Sequence, residues 1–317
     1  MVDQLKLAEI FTPTARERRQ KLDDCGIRIA HYTTAENAYK IVKSQSLWMR
    51  NTLNMDDYRE IEHGHDLLLE YFGDNSKWNW LLSILDRCCG ESGRKAIDLF
   101  NKHYDDIRRF TYIACFSEHE PKHRDHGRLS MWRAFGQGSA GVAIVLNPPK
   151  RESSAPLQAF LVPVMYYTQQ MLRQELDRIF KNIESHESYL KDVSQEELFR
   201  WAFIMLVAFV TSLKHPGFEE EKEWRLIHLP KTFPSLHVAE EMQVIGGIPQ
   251  VIRKVDLINN LSAGINDISI PQLLDRVIVG PTQYGYSIVE SLTKLLTGIG
   301  VQNADQKVFP SKIPIRT

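Results

Sequence analysis

Residues 136–146 read GQGSAGVAIVL, and Gly136 to Gly141 have the spacing G-x-G-x-x-G that cradles a dinucleotide pyrophosphate. That fingerprint works only when it follows a strand and opens a helix, because helix-terminal N–H groups bind the phosphates. Here the order is reversed. The preceding LSMWRAF (129–135) has a helical pattern, whereas VAIVL is a run of apolar and β-branched residues of the kind that forms strands. No βαβ unit with an acidic residue at a strand end about 20 residues further on surrounds it. The stretch is therefore expected to be a helix-to-strand turn, with Gly136 or Gly138 in the left-handed position after a helix. A Rossmann domain is excluded on that reading.

Outward from this turn, elements alternate without the steady βαβ rhythm of a doubly wound sheet. IRIAHY (27–32) has strand character, and Thr34 is placed to N-cap a helix through AENAYKIVKSQ, its hydroxyl meeting an orphan N–H. LWM, TYIACFS (111–117), GVAIVL (141–146), AFLVPVMYY (159–167), EWRLIHL (223–229) and DRVIVG are further strand candidates, with Pro163 arguing for an edge or a bulge. Asp57 to Glu60 has capping-box spacing before a helix toward Tyr71. The segments 78–106, 195–214 and TQYGYSIVESLTKLLTG are helical in pattern, KVFPSKIPIR is an extended tail, and PPKRESSAP (148–156) is a surface loop. The class is α+β, with residues 1–27 a charged helical lead-in and 28–317 one domain.

The 317 residues carry a formal net charge of −1, which supplies no bulk attraction for nucleic acid. Cys25, Cys88, Cys89 and Cys115 make neither a C-x-x-C pair nor a disulfide framework, so reduced thiols and a cytoplasmic location are expected. The N-terminus lacks the apolar core of a signal peptide. The most apolar segment, LFRWAFIMLVAFVTSL (198–213), contains Arg200 and is shorter than the roughly 20 residues of a membrane span. It is expected to be a helix buried on most sides, and no membrane partner is expected.

Several residue groups have chemistry worth weighing. His31, Tyr32 and Thr33 end a strand, where a His with hydroxyl neighbours can hold a polar ligand or simply bond within a core rim. Phe218 to Arg225 reads FEEEKEWR, and strand period 2 sets Glu221, Glu223 and Arg225 on one face. A charge run is usually solvated, but a carboxylate held in a cleft there would stabilise an oxocarbenium-like sugar cation. His119, His123 and His126 share a polar loop whose Pro121 breaks the helix that i, i+4 ligands would need, so no metal is expected. Asp56, Glu60 and His63 are accounted for by capping and solvated charge. Cys115, in an apolar strand, is expected to be inert, and Ser117 ends that strand where a hydroxyl reaches a cleft. There is no G-x-S-x-G elbow, Walker loop or H-E-x-x-H.

The motifs HYTTAENAYKIVKSQSLWMRN, MDDYREIEHG, ACFSE, LSMWRAFGQGSAGVAIVL, FEEEKEWRLI and VIVGP with PSKIPI, in that order, resemble a bacterial family known as domain of unknown function 2971 (DUF2971). Where that family's pattern reads M-N-D-x-x-E, this chain has Asp56 in the Asn place. The family resembles ADP-ribosyltransferases, which implies a split β-sheet around an NAD cleft. By that resemblance His31 contacts the NAD ribose, Ser117 is the serine ending a middle strand, and Glu223 is the catalytic glutamate with Glu221 two residues before it. Tyr32 and Trp132 would stack on nicotinamide or adenine, with Thr33 and Arg225 also lining the site. Transferases of this type pair a first-strand Arg with Ser and Glu, or a first-strand His with a later Tyr and Glu; this chain mixes the two sets.

The resemblance implies an NAD-consuming enzyme, an ADP-ribosyltransferase or NAD glycohydrolase acting on an unknown protein or nucleic-acid acceptor, serving as a toxin or anti-phage effector. The alternative is a non-catalytic module that senses a nucleotide or binds a partner in the same cleft. A nucleic-acid-processing effector is disfavoured by the near-neutral charge. The NAD expectation requires His31, Ser117 and Glu223 to converge on one cleft.

Overall fold

The computed structural model describes residues 3–55, 60–135 and 140–313. Two N-terminal helices, α1 (Gln4–Phe11) and α2 (Pro13–Asp24), precede β1 (Arg28–Thr34). Although α2 is charged, α1 is not a free leader: Leu7, Ala8, Ile10 and Phe11 are buried in the main apolar cluster. The Thr34 hydroxyl accepts the Asn37 N–H and caps α3 (Ala35–Ser44), which returns the chain to β2 (Ser46–Asn51). Next come α4 (Glu60–Phe72), α5 (Asn75–Cys88) and α6 (Ser92–Phe110). The helical pattern expected over 78–106 is thus broken in two, the chain turning at Glu91 with φ 61°.

The middle of the chain supplies β3 (Tyr112–His119), α7 (Leu129–Phe135), β4 (Gly141–Leu146), β5 (Ala159–Pro163) and β6 (Met165–Tyr166). The flanks of the glycine stretch are therefore a helix and a strand, in that order; Gly136, Gly138 and the Asp57 start of the capping box lie outside the described residues. The expected surface loop 148–156 instead forms helical turns at Arg151–Ser154 and Ala155–Leu157. Pro163 ends β5, as a residue without a ladder N–H must, and β6 pairs elsewhere.

Helices α8 (Gln169–Ser185) and α9 (Gln195–Ser212) follow, then β7 (Leu213–Lys214), β8 (Glu223–His228), the hairpin of β9 (Val238–Ile245) and β10 (Ile248–Asp256), β11 (Leu274–Val279), α10 (Gly285–Gly298) and β12 (Val308–Pro310). Helix α9 is capped by the Ser194 hydroxyl and buried almost all round. At Gly64 of α4 its backbone comes so close that an added Cβ would lie 2.8 Å from the Phe209 carbonyl. Among the described residues no helix is long and apolar enough to cross a membrane.

The strand order is β12-β11-β4-β1-β3-β2-β10-β9, with β8 on β3 and β5 on β8. This is a mixed α+β sheet, antiparallel except for β11–β12. Strand β8 takes one edge of β3 from Tyr112 to Ser117. The other edge is shared: β1 pairs over Ser117–His119 and β2 over Tyr112–Ile113. Between them β1 and β2 diverge, leaving the edge of β3 at residues 114–116 unpaired by either strand. One face of the sheet is covered by α3 and α10, packing Ile29, Phe116, Ile144 and Trp224. The opposite face meets the α1–α9 helices at Ile113 and Ile227, and α7 at Ala30, Tyr32, Ala143 and Ile278.

Candidate functional site

The register decides which sequence-named residues meet. Ala30, not His31, lies across from Ser117, and Ser117 lies across from Glu223. Side chains alternate between faces, so Tyr32, Cys115, Ser117, Glu223 and Arg225 share one face and His31 points through the other. His31 sits in the gap between β1 and β2. There its Nδ1 donates to the Cys115 carbonyl (2.9 Å) and its ring lies 5.6 Å from that of Phe116. The adjoining cavity is apolar and holds about 20 Å³, the room of roughly one water. Burial lowers the His31 pKa, partly offset by the bond to Cys115. Thr33 follows on the same face of β1, paired to Val142. His31 therefore does not join Ser117 and Glu223 in one cleft.

Glu223, 4% exposed, is filled by donors. Arg225 grips it with Nε (2.9 Å) and Nη2 (3.2 Å), and Lys214 Nζ adds a third contact at 3.3 Å. The Cys115 thiol also bonds to it. Burial works to raise the Glu223 pKa, but the Arg225 charge, its paired hydrogen bonds and Lys214 more than offset this and hold the carboxyl well below its ordinary value. Arg225 is fully buried and also donates to the Thr211 carbonyl (3.0 Å). Arg225 and Glu223 thus share a face, as strand period 2 predicts. Glu221 does not extend that strand: it ends the 3-10 segment Pro216–Glu221, and Lys222, at φ 44°, breaks the register. Its carboxylate still reaches the cluster through Lys214 (2.8 Å).

Ser117 is also committed. Its hydroxyl donates to the Glu221 carbonyl and accepts from Arg128 Nη1, both at 2.5 Å. The two aromatic candidates are locked in place. The Tyr32 hydroxyl accepts the Arg128 N–H (3.0 Å), and the Tyr32 ring meets Trp132 edge-on at 4.9 Å. Trp132 donates to the His126 carbonyl (2.8 Å) and is clamped between Gly127 and Gly280, where an added Cβ would lie 2.7 and 2.9 Å from its ring. Neither ring presents a face to a ligand; both are 5–6% exposed.

Lys214, Arg128 and Tyr166 escaped the sequence reading. Lys214 arrives because β7 pairs with β6, setting it beside Tyr166, whose hydroxyl accepts the Glu223 N–H (2.8 Å). Arg128 stands immediately before the LSMWRAF run, and its position there was the one available signal. Among the described residues no cluster of His, Cys, Asp or Glu is placed to hold a metal ion; His123 and His126 contact each other ring to ring at 5.9 Å.

A groove of about 360 Å³ opens where α2 passes β6 and the 216–221 segment, lined by Arg18, Lys21, Lys222, Glu118, Tyr166 and Tyr167. Arg18 bonds Glu118 (2.8 Å), which also accepts from Trp224 Nε1 (3.0 Å). Lys222 pairs with Glu120.

No curated protein and no solved structure matches this chain. A family model described as "Protein of unknown function (DUF2971)" matches residues 131–226. That segment contains Trp132, Glu221, Glu223 and Arg225, while His31, Ser117 and Arg128 fall outside it. From α7 to the middle of β8, the chain is similar to the DUF2971 family.

Proposed function

We propose that this chain binds a nucleotide-sized anionic ligand, without turning it over, in the groove between α2 and β6. The observation that carries this is the groove itself: about 360 Å³ falls in the range of small-molecule sites. Lys21 supplies positive charge there beside the ion pairs Arg18–Glu118 and Lys222–Glu120 and the Glu219 carboxylate, and Tyr166 and Tyr167 supply rings. The expectation of no turnover rests on Glu223. A carboxylate already holding Arg225, Lys214 and Cys115 has no capacity left to orient a ribose hydroxyl or offset a developing sugar cation. Calorimetric titration with NAD, ADP-ribose and ATP tests the binding half. Lys21→Glu and Tyr167→Ala should each weaken the best ligand by about ten-fold, the scale of one lost ion pair or stacking contact. Unchanged affinity in both variants would place the ligand elsewhere.

A second reading, cleavage of NAD at the nicotinamide–ribose bond with transfer to a protein or nucleic-acid acceptor or to water, is favoured by one observation. Ser117 and Glu223 are direct cross-strand partners, so two of the three residues that the transferase resemblance names lie side by side. Nicotinamide release from NAD by the wild type, abolished in Glu223→Gln, would establish that reading and overturn the first.

A further inference from the structure

Two buried arginines lie near Ser117, and only one has a counter-charge. Arg225 presents its Nε–Nη2 edge to Glu223. Arg128, 7% exposed, is held by the other end: Nη1 donates to the Ser117 hydroxyl (2.5 Å) and to the Glu221 carbonyl (3.1 Å). Both acceptors are neutral. The nearby carboxylates are turned elsewhere, Glu221 to Lys214 and Glu223 to Arg225 and Lys214. Among the described residues Arg128 has no ion-pair partner. Among the described residues its Nε and Nη2 make no hydrogen bond, and neither is a fully sealed atom. A guanidinium withdrawn from water without a counter-charge is costly, and the Nε–Nη2 edge is the fork that accepts two oxygens of one anion.

We propose that the Nε–Nη2 edge of Arg128 is the receptor for a phosphate group, bound bidentately on the sheet face that carries Ser117 and the Glu221 carbonyl. Ser117 and Glu221 aim the fork by pinning Nη1. His123 stands close enough to feel the Arg128 charge; burial first, and then that charge, lower its pKa. A phosphate also brings a third oxygen and, near neutral pH, more negative charge than a carboxylate. The site lies on the opposite face of β3 from Glu118 and the α2–β6 groove, and stands independently of the ligand proposed for that groove.

Inorganic phosphate, AMP and acetate are the probes, titrated calorimetrically at low salt into the full chain. The wild type should bind phosphate and AMP, and acetate at least about ten-fold more weakly. Arg128→Lys keeps the charge but loses the fork and should cost about ten-fold or more in phosphate affinity, and Arg128→Gln should show no binding of inorganic phosphate. Lys21→Glu, in the groove, should leave phosphate affinity unchanged. Selective observation of arginine Nε–H signals in the wild type needs no variant: one signal should shift saturably with phosphate. No phosphate binding by the wild type, acetate binding as tightly, equal affinity in Arg128→Gln, or no shifting Nε–H signal each overturns the proposal.

Discussion

Arg225→Met removes the main counter-charge of Glu223 while keeping most of the side-chain volume. Among the described residues Glu223, 4% exposed, would then keep Lys214 Nζ, at 3.3 Å, and the Cys115 thiol, and the Thr211 carbonyl would lose its Arg225 donor. Breaking a buried pair from one side costs about 3–5 kcal/mol; Lys214 sets the lower end, about 3 kcal/mol. For a chain of 317 residues that is a fall of about 4–5 °C in Tm. The loss should depend on pH. In the wild type the Glu223 pKa is lowered on folding, so its stabilisation is present above the ordinary carboxylate pKa and is lost as pH falls through the folded value. In Arg225→Met burial prevails and the folded pKa rises, so stability falls as pH climbs past the ordinary value. The gap between the two proteins should therefore be small only near about pH 2, where Glu223 is protonated in both, and full by about pH 7. Urea unfolding at several pH values between those limits measures it. Glu223→Gln combined with Arg225→Met should be less destabilised than Arg225→Met alone, because no unpaired buried charge remains. A gap independent of pH, or a double variant worse than the single, would refute the reasoning.

Other outcomes follow from packing and titration. Gly64→Ala should destabilise by about 1–2 kcal/mol: overpacking against the Phe209 carbonyl and Val210 Cα, at 2.8 and 2.9 Å, outweighs the gain in helix propensity of about 1 kcal/mol. A thermal melt more stable than wild type would contradict it. His119 is held at a pKa of about 4 by burial and then by the Arg276 charge, so the unfolded chain binds its proton first as pH falls. Stability should therefore drop by up to about 3 kcal/mol between about pH 6.5 and 4, and His119→Asn should flatten that part of the profile. Gly127→Ala should cost about 2–4 kcal/mol, combining its φ of +69° with a Cβ 2.7 Å from Trp132, through left-handed strain and overpacking. Loss of near-ultraviolet dichroism from Trp132 would accompany it, and an unchanged melt would count against the clamp.

Local pattern was legible in the chain wherever local physics decides. The helix 129–135 and strand 141–146 flank the glycine stretch in the order that denies a nucleotide fold; Thr34 caps α3; and the apolar run ending at Ser212 is a buried helix. Period 2 likewise placed Glu223 and Arg225 on one side of β8. The hairpin β9–β10 and the helix α8 went unread, the first because its alternation mixes Glu with Met and Val, the second because its amphipathic stripe runs through a charged segment. What no local pattern contains is register and contact between distant strands. His31, Ser117 and Glu223 each end or begin a strand, but a shift of one residue between β1 and β3 sends a side chain to the opposite face. The ladder sets Ala30 against Ser117, and His31 is spent on the split in the sheet. In the same way Lys214 reaches Glu223 because β7 docks on β6, and Arg128 reaches Ser117 across a turn. Residue types and periodicity determine which elements form; long-range pairing, whose free energy comes from burial shared between distant segments, determined which charges meet and, among the described residues, left Arg128 without an ion pair.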